Sequence, residues 1–301
     1  MVGTYTVAAI SGSCGFLLGG TLYGYYLCCK AHKKKKNVYE TSKLVDEYMY
    51  LHYGSPQAST HADWYNNFQI KDGFDFPLRC AIFCDKYCPK EPRSTESRRA
   101  LDIGCAVGRS TFELSQYFEE VIGIDYSQAF IDQCLLLKEK KILDFSIVSE
   151  GDIYEKHTTT LSSSVNVDRV KFQVGDACNL PKTLGKFDCV LAANLICRLY
   201  NSMLFIKRLP ELVKENGILV LTAPYTWLTS FTPKSHWLGG YYNEAMEPVY
   251  GFDALRKALS PHFKLIKETE MPMLIRETQR KHQWTICHVT VWQHLPSARS
   301  V

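Results

Sequence analysis

The sequence predicts an α/β fold built on a doubly wound, Rossmann-like parallel sheet, and three observations carry that prediction. The first is the stretch RALDIGCAVGRSTFELSQYFEEVIGIDYS, residues 99–127, which reads strand, glycine turn, helix, strand, acid. The second is the alternation of short apolar runs with helical patterns from there to about residue 260, the signature of βαβ units. The third is composition: 301 residues, 46% apolar and 22% charged, suffice for one large cored domain and a small appendage.

The elements follow in order. Residues 2–29 carry no charged side chain, and about 25 helical residues at roughly 1.5 Å each cross a hydrocarbon core of about 30 Å. No basic segment precedes this run, and the cluster Lys30–His32–Lys36 follows it. That order predicts a single-pass membrane anchor in residues 1–36, with the rest of the chain, 37–301, as a cytosolic domain. NVYETSKLVDEYMYLHYG (37–54) predicts a helix with Thr41 or Ser42 as N-cap and Gly54 as its stop. Phe76–Tyr87 predicts another, ended by Pro89 and Pro92; both are natural lids over the strand ends.

Ala100–Ile103 and Val121–Ile124 are the first two strands, with a helix between them and another over 127–140. The polar stretch 141–170 is expected to be an insertion, partly disordered or a hairpin. Strands are expected at Lys171–Val174, Phe187–Ala193 and Ile218–Thr222, and helices at Met203–Lys214 and Gly251–Ser260. Two last strands, Phe263–Glu268 and Trp284–Trp292, would add an antiparallel edge.

The glycine turn selects the ligand class. It lacks the Gly-Lys-Ser/Thr of a phosphate loop and the G-x-G-x-x-G of a dinucleotide site. Gly104, Cys105, Ala106 and Gly108 keep the turn free of bulk, so that its N–H groups can approach a ligand. Asp102 just before it would repel phosphate and suit a cation. Asp125 stands where a ribose diol is gripped, Asp176 where an adenine amine is accepted beside the small Ala177, and Asn194 where cofactor and substrate meet. S-adenosylmethionine, with a sulfonium, an amino acid tail, a ribose and no phosphate, meets these demands.

A net charge of +4, much of it in Lys33–Lys36, argues against a nucleic-acid-binding surface. The twelve cysteines are scattered through apolar runs, as in a reduced core. Cys80, Cys84 and Cys88 lie four apart on a helix without a completing histidine, so they read as a packing face and no metal site is expected.

Residues 37–294 resemble the methyltransferase domain of ovothiol biosynthesis, which N-methylates the imidazole of a thiohistidine. The segments carrying the resemblance are VYETSKLVDEYMYLHYG, ALDIGCAVGRSTFELS, TPKSHWLGG (232–240) and MPMLIRETQRKHQWTICHVTVW (271–292). The resemblance implies a class I methyltransferase fold, S-adenosylmethionine as cofactor and a small imidazole acceptor. In that family the domain often follows an iron-dependent sulfoxide synthase; here the charge-free segment stands in its place, so a separate sulfoxide synthase is implied as partner.

Methyl transfer from a sulfonium needs alignment of donor and nucleophile, and a neutral imidazole needs a shaped, dry pocket more than a strong base. Arg198 and Arg276 are candidates for an acceptor carboxylate through their guanidinium forks. Tyr225, just past a strand end, is a candidate for the acceptor ring, with Tyr53, Trp227 and Trp237, and His52 and His236 are candidates for proton transfer. A protein methyltransferase acting on histidine side chains and a catalytically silent cofactor-binding module are the alternatives.

Overall fold

The computed structural model describes residues 37–55, 62–68, 70–90 and 97–296. Val38–Val301 forms one unit. The expected anchor in residues 1–36 lies outside the described residues. Among the described residues, no helix is long and apolar enough to cross a membrane.

A single turn at Val38–Glu40 leads into α1 (Ser42–Tyr53). The Thr41 hydroxyl accepts from the Leu44 N–H at 3.4 Å, and Gly54 donates to the Tyr50 carbonyl at 2.7 Å, so the helix has a defined start and stop. Then come α2 (Ala62–Asn67) and α3 (Phe76–Tyr87), the latter with proline in its first turn, where no helical N–H is lost. The central unit runs β1 (Arg99–Ile103), α4 (Arg109–Leu114), β2 (Glu120–Asp125), α5 (Gln128–Lys140). An inserted hairpin, β3 (Ile142–Glu150) and β4 (Ile153–Thr160), precedes β5 (Val170–Val174). The second half is β6 (Phe187–Ala193), α6 (Ser202–Leu212), β7 (Val213–Ala223), the short pair β8 (Tyr241–Tyr242) and β9 (Pro248–Val249), and α7 (Gly251–Leu259). A long hairpin, β10 (Phe263–Arg276) and β11 (His282–His294), ends the fold.

Seven strands form one sheet in the order β10-β11-β7-β6-β1-β2-β5. The five from β7 to β5 are parallel, while β11 runs antiparallel to β7 and β10 antiparallel to β11. Helices cover both faces, and the strands are apolar on both. Ala100, Val121, Cys189 and Ile218 face the core shared with α1, α3, α4 and α5; Leu101, Ile122, Val190 and Leu219 face the core shared with α6 and α7. Cys80, Cys84 and Cys88 pack into the first core, where burial pushes their thiols up. Chain order reverses between β1 and β6, so a crevice opens at the carboxyl ends of those two strands.

Of the two forms expected for the insertion, the structure has the hairpin: Leu143, Phe145 and Ile147 alternate into the core, which fixes its register. Two regions depart from the sequence expectation. β7 begins five residues earlier than expected, because Val213 pairs with Phe187 across a register shift, and Asn216 supplies a left-handed turn within the bulged strand. β10 and β11 are longer than expected and stay paired from Phe263–His294 to Arg276–His282, well past the sheet's carboxyl edge.

Candidate active site

The Gly104–Gly108 loop lines the crevice, and its hydrogen bonds run inward. Gly104 and Cys105 donate to the Ile124 carbonyl at 2.7 and 3.1 Å, and Ala106 donates to Asp125 Oδ2 at 2.9 Å. Gly108 donates to the Cys105 carbonyl at 2.9 Å, and the Arg109 N–H donates to His52 Nδ1 at 3.3 Å. The sequence suggested that these N–H groups meet a ligand; the structure corrects this, because those of Gly104, Cys105 and Ala106 hold the loop to β2, that of Gly108 closes the loop on itself and that of Arg109 holds it to α1. A loop with its amides so committed is poorly equipped to cradle phosphate and suits a phosphate-free ligand. Gly108 is needed here: its φ is +85°, and a Cβ would fall 2.8 Å from Cys134 Sγ.

Asp125 ends β2 and is half-buried. Oδ2 accepts from Ala106 and Oδ1 from the Ser127 N–H, both at 2.9 Å, and each oxygen keeps a lone pair for a ribose hydroxyl. Burial raises its pKa, and those backbone N–H groups oppose the rise. Gly175 donates to the Asp125 carbonyl at 2.9 Å, which seats exposed Asp176 and buried Ala177 alongside it. Asp176 also accepts from the Cys178 N–H at 2.8 Å. The fold thus brings together Asp125, Asp176 and Ala177, a set suited to a nucleoside without phosphates. Tyr39, Tyr48 and Phe130 form an aromatic cluster beside them, with Tyr48 and Phe130 centroids 4.9 Å apart.

Asn194 follows β6 with φ +52°. Its N–H donates to the Thr222 carbonyl, its Oδ1 accepts from the Thr222 hydroxyl at 2.8 Å, and its Nδ2 lies 3.2 Å from Met273 Sδ and Cys287 Sγ. This ties the end of β6 to β7 and to the terminal hairpin. Tyr225, two residues past β7, also has φ +52° and bonds His288 Nδ1 at 2.9 Å. Side chains in this left-handed region are uncommon outside glycine, and here two stand at the ends of adjacent strands.

Five expected residues have other employment. Asp102 is 1% exposed; its Oδ2 accepts from the Thr111 hydroxyl at 2.7 Å, and burial pushes its pKa up to about 7. It therefore sits beneath the loop instead of facing a ligand. The Cys105 thiol is equally buried and turns toward the Ala106 carbonyl, so this residue shapes the loop through its backbone. His52 accepts from the Arg109 N–H while its carbonyl accepts from the Arg109 guanidinium at 2.5 Å. Burial, with the Arg109 charge, pushes its imidazole down to about 3, so it is neutral and structural, not a base. Tyr53 adds a second tie, donating to the Val107 carbonyl at 2.9 Å. Arg198 donates to the Thr226 carbonyl at 2.7 Å and lies over Phe231 at 5.0 Å, holding the segment after β7.

Arg276 is 1% exposed and pairs with Glu155 of the inserted hairpin at 2.8 Å, with its guanidinium 5.1 Å from the Tyr50 ring centroid. The protein supplies its carboxylate, and a bound acceptor is not needed to balance the charge. Of the remaining candidates, His236 contacts the Tyr200 carbonyl at 3.0 Å, and the Trp237 indole donates to the Thr232 carbonyl at 2.9 Å. Sequence reasoning missed Thr111, Arg109, His288 and Glu268. The first two lay within the motif, three residues and one residue after Gly108; the last two had no local signal.

Residues 101–221 match the family described as "Methyltransferase domain". A Saccharomyces cerevisiae protein described as "Probable S-adenosylmethionine-dependent methyltransferase" is 27% identical over 177 residues, 58% of this chain and 57% of that protein. A "Ubiquinone biosynthesis O-methyltransferase" of Bradyrhizobium diazoefficiens is 27% identical over 154 residues, 48% of this chain and 50% of that enzyme. The chain thus spans little more than half the length of these curated relatives. Among solved structures, the N-methyltransferase NodS of Bradyrhizobium japonicum is 14% identical with a TM-score of 0.45, covering 77% of this chain and 98% of that one. Residues 101–221, about two-fifths of the chain, thus match a methyltransferase domain, in the segment that carries the glycine turn, Asp125 and Asp176.

Proposed function

We propose that the chain moves a methyl group from S-adenosylmethionine to an imidazole nitrogen of a small, thiohistidine-like acceptor. One observation carries the acceptor class: the ovothiol-like segments outside the glycine turn converge on the carboxyl ends of the parallel strands. α1 clamps the loop through His52 and Tyr53. Thr232 of TPKSHWLGG is fully buried and donates to the Leu199 carbonyl just past β6 at 2.7 Å. Met273 and Cys287 of the terminal hairpin meet Asn194. The contacts of Thr232, Met273 and Cys287 lie outside the cofactor loop, so their common target supports a dedicated acceptor pocket.

When bound, the cofactor supplies an electrophilic methyl on a sulfonium. The chain's residues do the rest: Asp125 and Asp176 hold the nucleoside, Asn194 fixes the end of β6 at the meeting point, and Tyr225 borders the acceptor. We also assign residues 1–36 as a single-pass anchor with the methyltransferase domain in the cytosol, on the charge-free run and the lysines that follow it. A separate sulfoxide synthase would then supply the sulfur-bearing imidazole.

The test is full-length protein in detergent, incubated with methyl-labelled cofactor and a panel of thiohistidine, histidine, other imidazoles and histidine-containing peptides. Label on a ring nitrogen of a free imidazole amino acid is the expected result. Label only on peptides would establish the protein-substrate alternative, and cofactor binding without any transfer would establish the silent module.

A further inference from the structure

We propose that Tyr225, His288 and Glu268 form a proton relay that carries the acceptor's proton from the carboxyl edge of the sheet to solvent. The proposal rests on the methyl-transfer reading above. The three side chains come from the segment after β7, from β11 and from β10. Tyr225 Oη lies 2.9 Å from His288 Nδ1, and His288 Nε2 lies 3.1 Å from Glu268 Oε1. The His288 side chain is 12% exposed and that of Glu268 is 50% exposed, so the chain of contacts leads from a shielded end to water.

The carboxylate fixes the direction of the bonds. Glu268 can only accept when ionised, so His288 carries its hydrogen on Nε2, leaving Nδ1 to accept from the Tyr225 hydroxyl. Packing fixes the geometry. Phe252 of α7 meets the His288 ring edge-on, with centroids 4.6 Å apart and planes at 89°. The Tyr225 ring lies so close to the first residue of α7 that a Cβ on Gly251 would fall 2.6 Å from Cδ1. The left-handed backbone of Tyr225 is retained beside that of Asn194, where β6 and β7 end. Strained residues that a fold could avoid mark positions that do something.

The charges around the relay are mixed. Glu270 stands opposite His288 in the β10–β11 register, and Glu268 lies diagonally from it on the same face. Arg256 of α7 lies over Phe252 at 5.7 Å. Burial first, then Glu268, Glu270 and Cys197, raise the Tyr225 pKa, so the phenol keeps its proton at rest and passes it on only as it receives another.

The step balances. The acceptor nitrogen's lone pair takes the methyl carbon, and the carbon–sulfur bond breaks with its electrons going to sulfur. The acceptor's N–H proton moves to Tyr225 Oη while the phenolic proton moves to His288 Nδ1. The imidazolium so formed is paired with Glu268 and loses its Nε2 proton through that carboxylate to water; His288 is then the Nδ1–H tautomer, and exchange of that proton for one on Nε2 by way of water resets the relay. His288 and Glu268 are positioning and relay residues; neither touches the acceptor.

The experiment uses full-length protein and the variants Tyr225→Phe, His288→Gln, Glu268→Gln and the Tyr225→Phe/His288→Gln double. Measured are kcat and KM for the acceptor from pH 6 to 9.5, S-adenosylhomocysteine binding by calorimetry, and the His288 ring nitrogens by NMR. Expected is a ten- to hundredfold loss in kcat for each single variant with KM and cofactor affinity held within twofold. The double variant should match the worse single, and the acid limb of the kcat profile should move in Glu268→Gln. NMR should show the Nε2–H tautomer in the parent and a shifted Nδ1 in Tyr225→Phe. Single variants within threefold of the parent in kcat, additive losses, or an Nδ1–H tautomer in the parent would overturn the relay. A parent that methylates no imidazole defeats the functional reading instead, and the NMR result still decides the hydrogen-bond chain.

Discussion

Replacing Arg276 by alanine removes a guanidinium that is 1% exposed, pairs with Glu155 at 2.8 Å, donates to the Thr278 carbonyl at 3.2 Å and lies over Tyr50. It leaves the Glu155 carboxylate, 18% exposed, facing the ring of His157 with no countercharge from β10. Breaking a buried pair from one side costs about 3–5 kcal/mol. In a domain of this size that lowers Tm by roughly 6–20 °C. The pair joins β10 to the inserted β3–β4 hairpin, and Tyr50 joins both to α1, so hydrogen exchange should quicken in the hairpin and in α1 ahead of β1 and β2. Urea denaturation of Arg276→Ala and of Arg276→Met/Glu155→Leu provides the assay. The double variant should recover most of the loss, because an apolar pair in that site has no charge left unbalanced. A loss below about 1 kcal/mol in the single variant, or a selective rise in acceptor KM without loss of stability, would refute the structural role and return Arg276 to the acceptor's carboxylate.

Further outcomes follow from the site. Two buried groups act on stability with opposite sign. Asp102, raised to about 7, binds its proton more tightly in the folded state, so its contribution is present below about pH 4 and is lost as pH rises through 7. His52, lowered to about 3, resists protonation in the folded state, so its contribution is present above about pH 6.5 and is lost as pH falls through 3. Each is worth on the order of 4 kcal/mol, and they nearly cancel between pH 4 and 6.5. Asp102→Asn should therefore steepen acid denaturation, and His52→Asn should make stability fall with rising pH over that window; identical pH profiles in both variants would contradict the assignments. Asp125→Ala should weaken S-adenosylhomocysteine binding by about 1.5–3 kcal/mol in calorimetry, since it also frees the Ala106 and Ser127 N–H groups that shape the loop.

The sheet was legible because its central strands are short apolar runs buried on both faces, and β1 and β2 end at Gly104 and Asp125. The ends of α1 and α3 were legible through Thr41, Gly54 and the prolines. Legibility failed where partners lie far apart in the chain. Glu155 and Arg276 are 121 residues apart, and Tyr225 and His288 are 63 apart; neither pairing leaves a local pattern. The loop amides illustrate a subtler limit. Glycines announce that a backbone comes close to something, but here that something is the Ile124 carbonyl and the Asp125 carboxylate of the next strand. Likewise the helical pattern reads on to Lys214, while pairing of Val213 with Phe187 ends the helix at Leu212 and draws the polar residues that follow into the bulged start of β7. Hydroxyls such as Thr111 carry no pattern at all until a buried acid is placed beside them.

The most direct measurement is a calorimetric titration of the full-length protein with S-adenosylhomocysteine and, separately, with NAD and ATP. A loop whose amides are committed to β2 and α1, beside a ribose-ready Asp125, predicts one S-adenosylhomocysteine bound per chain and no saturable binding of either phosphate-bearing nucleotide. Binding of NAD or ATP with comparable affinity, or failure of S-adenosylhomocysteine to bind, would contradict the account.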